Sequence, residues 1–319
     1  MANAQRSAAA TDSEQSIRPR PELSLPGDAR SHPLVQLRRP TESRAGRRSQ
    51  AALGHSARES LFRASGLDTT RPVIAFAIHH GHGVRADIRS DLALCPAARK
   101  REEDPYTGEL ARAVQARVVV RRSRFEVDLN RPPPGAVYAE PADAWGLQVW
   151  RQPLPQSAKR DSVLEYRDFY GAVYAILADF ERRFGRFLVL DIHSYNHRRA
   201  GPDAPASPTP GNPQVNVGTS SLDRQLWLPV IDRFLHELGR PRLSYGALDV
   251  RENVKFQGGQ FVTWISQNFP ETACPLALEF KKTFMDEWTG RVDRAHLNVL
   301  RSRLRSATRA TLPELERIG

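Results

Sequence analysis

Apolar and polar positions along the chain fall into short blocks. Val73-Ile-Ala-Phe-Ala-Ile78 and Phe187-Leu-Val-Leu190 are continuous apolar runs, with the length and composition of strands buried on both faces. Each breaks at once into polar residues, His79-His80-Gly81-His82-Gly83 after the first and Asp191, His193 and Ser194 after the second. Further strands are predicted over Ala116–Val120 and Val215–Gly218, and a buried run from Pro275 ends in Glu279-Phe280. Between them the period lengthens. Tyr166, Phe169, Tyr170, Val173, Tyr174, Leu177 and Phe180 share one face of a helix that Gly185 stops, and Ser162-Val-Leu-Glu165 reads as its capping box. Helices are also predicted over 107–115, 221–238 with a kink at Pro229, 260–268 and 291–309, and a short one over 60–64. Strands alternating with helices predict one α/β domain, with a mixed, mainly parallel sheet covered by helices on both faces.

Composition trims this picture at its ends. Residues 1–55 are poor in apolar groups and rich in Ser, Pro and Arg, which predicts a disordered basic tail ahead of a domain over 56–319. The net charge of +11 is concentrated outside the histidine-bearing segments, with nine arginines against five acids in residues 1–50 and seven against three in 291–319. Without aromatic interleaving or a nucleic-acid motif, that charge reads as solvated surface and tail. No apolar run approaches the roughly 20 residues that span a bilayer, and the N-terminus lacks a secretory apolar core. Cys95 and Cys274 form no CxxC pair, and a reducing cytoplasm is expected. Residues 135–159 and 196–212 read as long irregular segments, the second a lid or an insertion.

Polar residues at the carboxyl ends of buried strands are where open α/β sheets carry chemistry. Four of nine histidines stand just past two such strands, which points to a metal centre at the top of the sheet. A catalytic zinc takes three protein ligands and leaves a position open. His193 is the first candidate, and His79 and His82 can face a metal from one loop. Glu103 or Asp104 can add a carboxylate, and Asp191 or Ser194 can orient the ligands from behind. Glu279 is placed for general base work. Asn130-Arg131, with Arg124 nearby, offers a fork for a substrate carboxylate.

In this order the motifs His79-His80-Gly81, Glu103-Asp104-Pro-Tyr-Thr107, Asp128-Leu-Asn130-Arg131, Asp191-Ile-His193-Ser194, Gly258-Gly259, Leu278-Glu279-Phe280 and Met285-Asp286-Glu287 span about residues 70–290. The set resembles the N-formylglutamate amidohydrolase family, a branch of the zinc carboxypeptidase and aspartoacylase-like hydrolases. The resemblance implies a carboxypeptidase-like fold and a zinc-dependent amide hydrolase. His79 and His193 would be ligands, with His82 or Glu103 as the third, Glu279 the catalytic carboxylate, and Asn130-Arg131 the clamp. The expected substrate is a small acidic N-acyl amino acid such as N-formylglutamate. The rivals are a metallopeptidase or deformylase acting on a short peptide, and a noncatalytic basic binding module.

Overall fold

The computed structural model describes residues 60–241 and 246–318. The predicted basic tail over 1–55 lies outside the described residues. Seven strands form one mixed sheet: β1 (Phe62–Ser65), β2 (Val73–Ala77), β3 (Ala116–Val120), β4 (Phe187–Tyr195), β5 (Val215–Gly218), β6 (Val250–Glu252) and β7 (Ala273–Lys281), in spatial order β1-β3-β2-β4-β7-β5-β6. β3, β2, β4 and β7 run parallel through the centre, and β1 and β5 join antiparallel. The predicted mixed, mainly parallel α/β sheet is the observed architecture.

Alternation along β2 and β4 divides the core between two faces. Val73, Ala75, Leu188, Leu190 and Ile192 pack on one side with α5 (Leu228–Gly239) and α7 (Arg294–Arg317). Ile74, Phe76, Phe187 and Val189 pack on the other with α4 (Gln156–Phe184) and α6 (Gln260–Asn268). Three short helices, α1 (Ala86–Arg89), α2 (Pro96–Glu102) and α3 (Thr107–Leu110), lie in the crossover between β2 and β3. Among the described residues no helix is long and apolar enough to cross a membrane.

Several local expectations differ from the structure. The segment predicted as a short helix at 60–64 is edge strand β1, paired Phe62 to Val120 and Ser65 to Arg117. Helix α4 starts after Pro155, so Ser162 is a buried residue of its second turn and caps nothing. The buried Ala158 extends the apolar face further upstream than the aromatic spacing suggested. Pro229 occupies the first turn of α5 rather than kinking it, where its missing N–H is harmless. The helix expected over 107–115 is one α-turn followed by a 3-10 turn, Ala111–Ala113. Helix α7 begins at Arg294 because the Asp293 carboxylate accepts from His296 N, 3.0 Å away.

Candidate active site

Sheet register brings the first two groups together. β4 and β7 are parallel with His193 opposite Glu279, and both point to the face opposite that of Ile192 and Leu278. Asp191 lies on the same face as His193, two residues below it. His79 enters from the adjacent strand end, directly after Ile78, and its ring stands edge-on to His193 with centroids 4.9 Å apart. Asp104 arrives on the loop after α2, where its N–H donates to the His79 carbonyl at 2.9 Å. Thr107 Oγ1 donates to the Asp104 carbonyl at 2.7 Å. The intervening Tyr106 takes a left-handed conformation with φ of 69°, an uncommon state for a non-glycine residue that closes this turn tightly.

Ligand-type atoms of His79, Asp104 and His193, all three buried, lie within 4.8 Å of one another. Asp104 Oδ2 is 3.0 Å from His193 Nδ1 and 3.4 Å from His79 Nδ1. The far nitrogen of each ring meets another carboxylate, His79 Nε2 at 2.7 Å from Asp128 Oδ1 and His193 Nε2 at 2.9 Å from Asp191 Oδ2. A carboxylate behind each imidazole is the arrangement that orients metal-binding histidines. Asp191 is fully buried, and both its oxygens lack a hydrogen bond of good geometry, a costly state unless positive charge stands in front of it.

His82 and Glu103, the two expectations for a third ligand, are not in this group. His82 Nδ1 lies 2.5 Å from Glu103 Oε2, and Ser123 Oγ donates to Glu103 Oε1. The backbone is extended at Glu103, so Glu103 and Asp104 point to opposite sides. Only one of the two can face His193, and it is Asp104.

Charge and burial shape the site's protonation. Burial acts against the charged ring of His193, but Asp191, Asp104 and Glu279 together raise its pKa well above the ordinary value. Burial would raise Asp104, yet His193 and His79 hold it far below the usual carboxylate range. Glu279 is pushed up to about 7 by burial, reinforced by Asp104 and Asp191 and opposed by His193. An imidazole kept protonated by surrounding carboxylates marks a place where a divalent cation can replace the proton. The donor set of two imidazoles and one carboxylate suits zinc.

Asp128 connects this centre to the expected clamp. It is fully buried, and burial alone would raise its pKa, but Arg124 and His79 hold it well below the usual range. Its Oδ1 contacts His79 Nε2 and accepts from Asn130 N at 2.9 Å; its Oδ2 accepts from Arg124 Nη2 at 2.7 Å and from Tyr138 Oη. Arg124 lines the cavity and stacks over Trp145 at 4.9 Å. Arg131 stands further out, over the Tyr138 ring at 4.7 Å and 3.6 Å from Asp128 Oδ2. Asn130 also lines the cavity, while its Oδ1 accepts from Phe261 N at 2.9 Å in the first turn of α6. A Cβ on Gly259 would come within 2.3 Å of that oxygen, which gives the paired glycines a steric reason.

The cavity over these groups measures about 220 Å³, and Tyr195, Phe256 and Lys282 also line it. Sequence reasoning did not single out Lys282, which is buried and donates to the carbonyls of Arg101 and Glu103 and to Asn196 Oδ1. It thereby ties the Asp104 loop to the end of β4. A larger cavity of about 630 Å³ lies beside Trp288 and Asp293, away from the histidine–carboxylate group, and the chemistry is assigned to the smaller one.

A family model for N-formylglutamate amidohydrolase matches residues 71–284. Among solved structures, the crystal structure of an N-formylglutamate amidohydrolase from Ralstonia eutropha JMP134 is similar at 17% identity with a TM-score of 0.63, covering 81% of this chain and 99% of that one. A gene product from Agrobacterium tumefaciens is similar at 17% identity and a TM-score of 0.55, over 78% of this chain and 95% of that one. At these identities both show a common fold. No curated protein sequence matches the chain.

Proposed function

Because the chain belongs to the N-formylglutamate amidohydrolase family, we propose that it hydrolyses the amide bond of a small N-acyl amino acid, N-formylglutamate being the model substrate, with zinc held by His79, Asp104 and His193. The observation that carries this reading is the convergence of those three side chains within 4.8 Å beside Glu279 in one cavity with Arg124. A bound divalent cation would supply Lewis acidity toward the scissile carbonyl and lower the pKa of water. Asp128 and Asp191 hold the two imidazoles in orientation from behind. Glu279, whose carboxyl is raised by burial, is placed to take a proton from the attacking water and return it to the leaving nitrogen.

Arg124 receives the substrate's carboxylate. Its Nε and Nη2 are engaged by Tyr138 and Asp128, which leaves Nη1 for a ligand, and Arg131 adds positive charge from the rim. A cavity of about 220 Å³ suits an amino-acid derivative better than a peptide, since drug-sized ligands occupy roughly 300–1,000 Å³. Hydrolysis of N-formylglutamate, its neutral diamide and formyl-Met-Ala-Ser tests the reading in one assay. Arg131→Ala is expected to raise KM for the carboxylate substrate about tenfold and leave the diamide unchanged. Equal effects on both remove the clamp, and preference for the peptide favours the deformylase reading.

A further inference from the structure

The outer part of the sheet carries a second feature. Arg63 and Ser65 on β1 and Arg117, Val119 and Arg121 on or just past β3 alternate along their strands, and the register pairs Arg63 with Val119 and Ser65 with Arg117. All five side chains therefore share one face, opposite the face on which Val118 and Val120 pack with α4. Arg112, from the 3-10 turn after α3, closes the side of this surface. The result is a cavity of about 420 Å³ lined by Arg63, Arg112, Arg117 and Arg121, with His80 and Gly108 at one end. None of these residues lines the catalytic cavity.

The arginines lack carboxylate partners: among the described residues no ion pair engages Arg63, Arg112, Arg117 or Arg121. Glu109, the one acid lining the cavity, is held by Arg294 Nη1 at 2.7 Å. Burial first, and then the neighbouring charges of Arg112 and Arg63, lower the pKa of Arg117. Elsewhere the chain pairs its arginines extensively, as Arg122 and Arg85 with Glu126, or Arg224 with Asp232 and Glu252. What sets this surface apart is that four guanidinium groups without a carboxylate partner converge on one hollow, Arg117 Nη1 donating to the Gln115 carbonyl at 2.9 Å. His80 Nδ1 accepts from Gly108 N at 3.2 Å, which places the proton of the neutral ring on Nε2.

We propose that this hollow is a binding site for a small multiply charged anion of phosphate or carboxylate chemistry. Guanidinium forks bind both groups in bidentate fashion, and the volume admits a metabolite-sized ligand. A nucleic acid would need a longer track of charge with stacking aromatics, and none lines this surface. The site shares its supporting loops with the catalytic centre, since His80 follows His79 and Gly108 lies on the turn after Asp104.

Calorimetric titration of the full-length chain with inorganic phosphate and with succinate tests the assignment and separates the two sources of anion. One saturable site per chain is expected for at least one of them. Arg112→Ala/Arg117→Ala is expected to weaken it about a hundredfold, as two charge-assisted contacts are lost. Arg305→Ala/Arg309→Ala, which removes the same charge from exposed positions of α7, and Arg131→Ala, which removes charge from the rim of the catalytic cavity, are expected to leave it unchanged. No saturable binding of either anion overturns the proposal, as does equal weakening in both double variants. Loss in Arg131→Ala alone would assign the anion to the catalytic cavity, and displacement by a single-stranded oligonucleotide would make the surface a nucleic-acid face.

Discussion

Replacing Asp128 by asparagine separates a structural role from a role in the metal centre. The carboxylate receives four donors in two pairs, His79 Nε2 and Asn130 N at Oδ1, and Arg124 Nη2 and Tyr138 Oη at Oδ2. An asparagine carboxamide keeps one oxygen, so in either orientation two of these donors face an NH₂ group. Each buried group left without a partner costs about 1–3 kcal/mol, more when charged, and breaking a buried ion pair costs about 3–5 kcal/mol. Asp128 is fully buried and the Arg124 side chain only 13% exposed, so a loss of about 3–5 kcal/mol is expected for Asp128→Asn. Urea denaturation should show this as a lower midpoint at unchanged slope. Zinc affinity should fall about 10–100-fold, as when an orienting carboxylate behind a metal-bound histidine is removed.

Adding Arg124→Met tells the two effects apart. The double variant buries no unpaired guanidinium, so much of the lost stability should return. His79 still lacks its carboxylate, so zinc affinity should stay low. Zinc binding that recovers together with stability, or that never falls in Asp128→Asn, refutes the orienting role.

Three further outcomes are expected. Glu279→Gln should retain zinc and lower kcat about 10²–10⁴-fold, the usual share of a general base, and a smaller loss would move that role to another group. In the wild-type chain kcat/KM should fall toward acid pH as Glu279, raised to about 7 before metal binds, takes up a proton; the limb should lie below 7 in the zinc form, because a nearby cation favours the carboxylate. The metal-free chain should lose stability as pH drops below the ordinary carboxylate range of about 4, because Asp104 and Asp128 have depressed pKa values in the fold and their stabilisation is complete only above the unfolded value; acid denaturation without such a decline would contradict the hydrogen-bond network.

The buried strands were legible because continuous apolar runs ending in charge have few other readings. The aromatic face of α4 was legible for the same reason, as its period is long and regular. Short or unusual elements were not: β1 has only four residues and owes its form to pairing with β3, a partner more than fifty positions away. At the site, His79, His193 and Glu279 stood out by their places at strand ends. The choice between Glu103 and Asp104 depended on one extended residue that turns adjacent side chains to opposite sides, and no periodicity marks it. Asp128 was visible as part of a motif, but its four donors come from segments that only the fold assembles. Lys282 carries no pattern of its own in the sequence; burial and three hydrogen bonds make it a brace for the Asp104 loop.

The central claim is that His79, Asp104 and His193 hold one divalent cation on which hydrolysis depends. Elemental analysis of purified wild-type chain beside folded His193→Ala and Asp104→Ala, with hydrolysis of N-formylglutamate followed on the same samples, tests it most directly. About one zinc per wild-type chain is expected, with metal and turnover both lost in the two variants. Full zinc content in either variant, or undiminished turnover without metal, would contradict the claim.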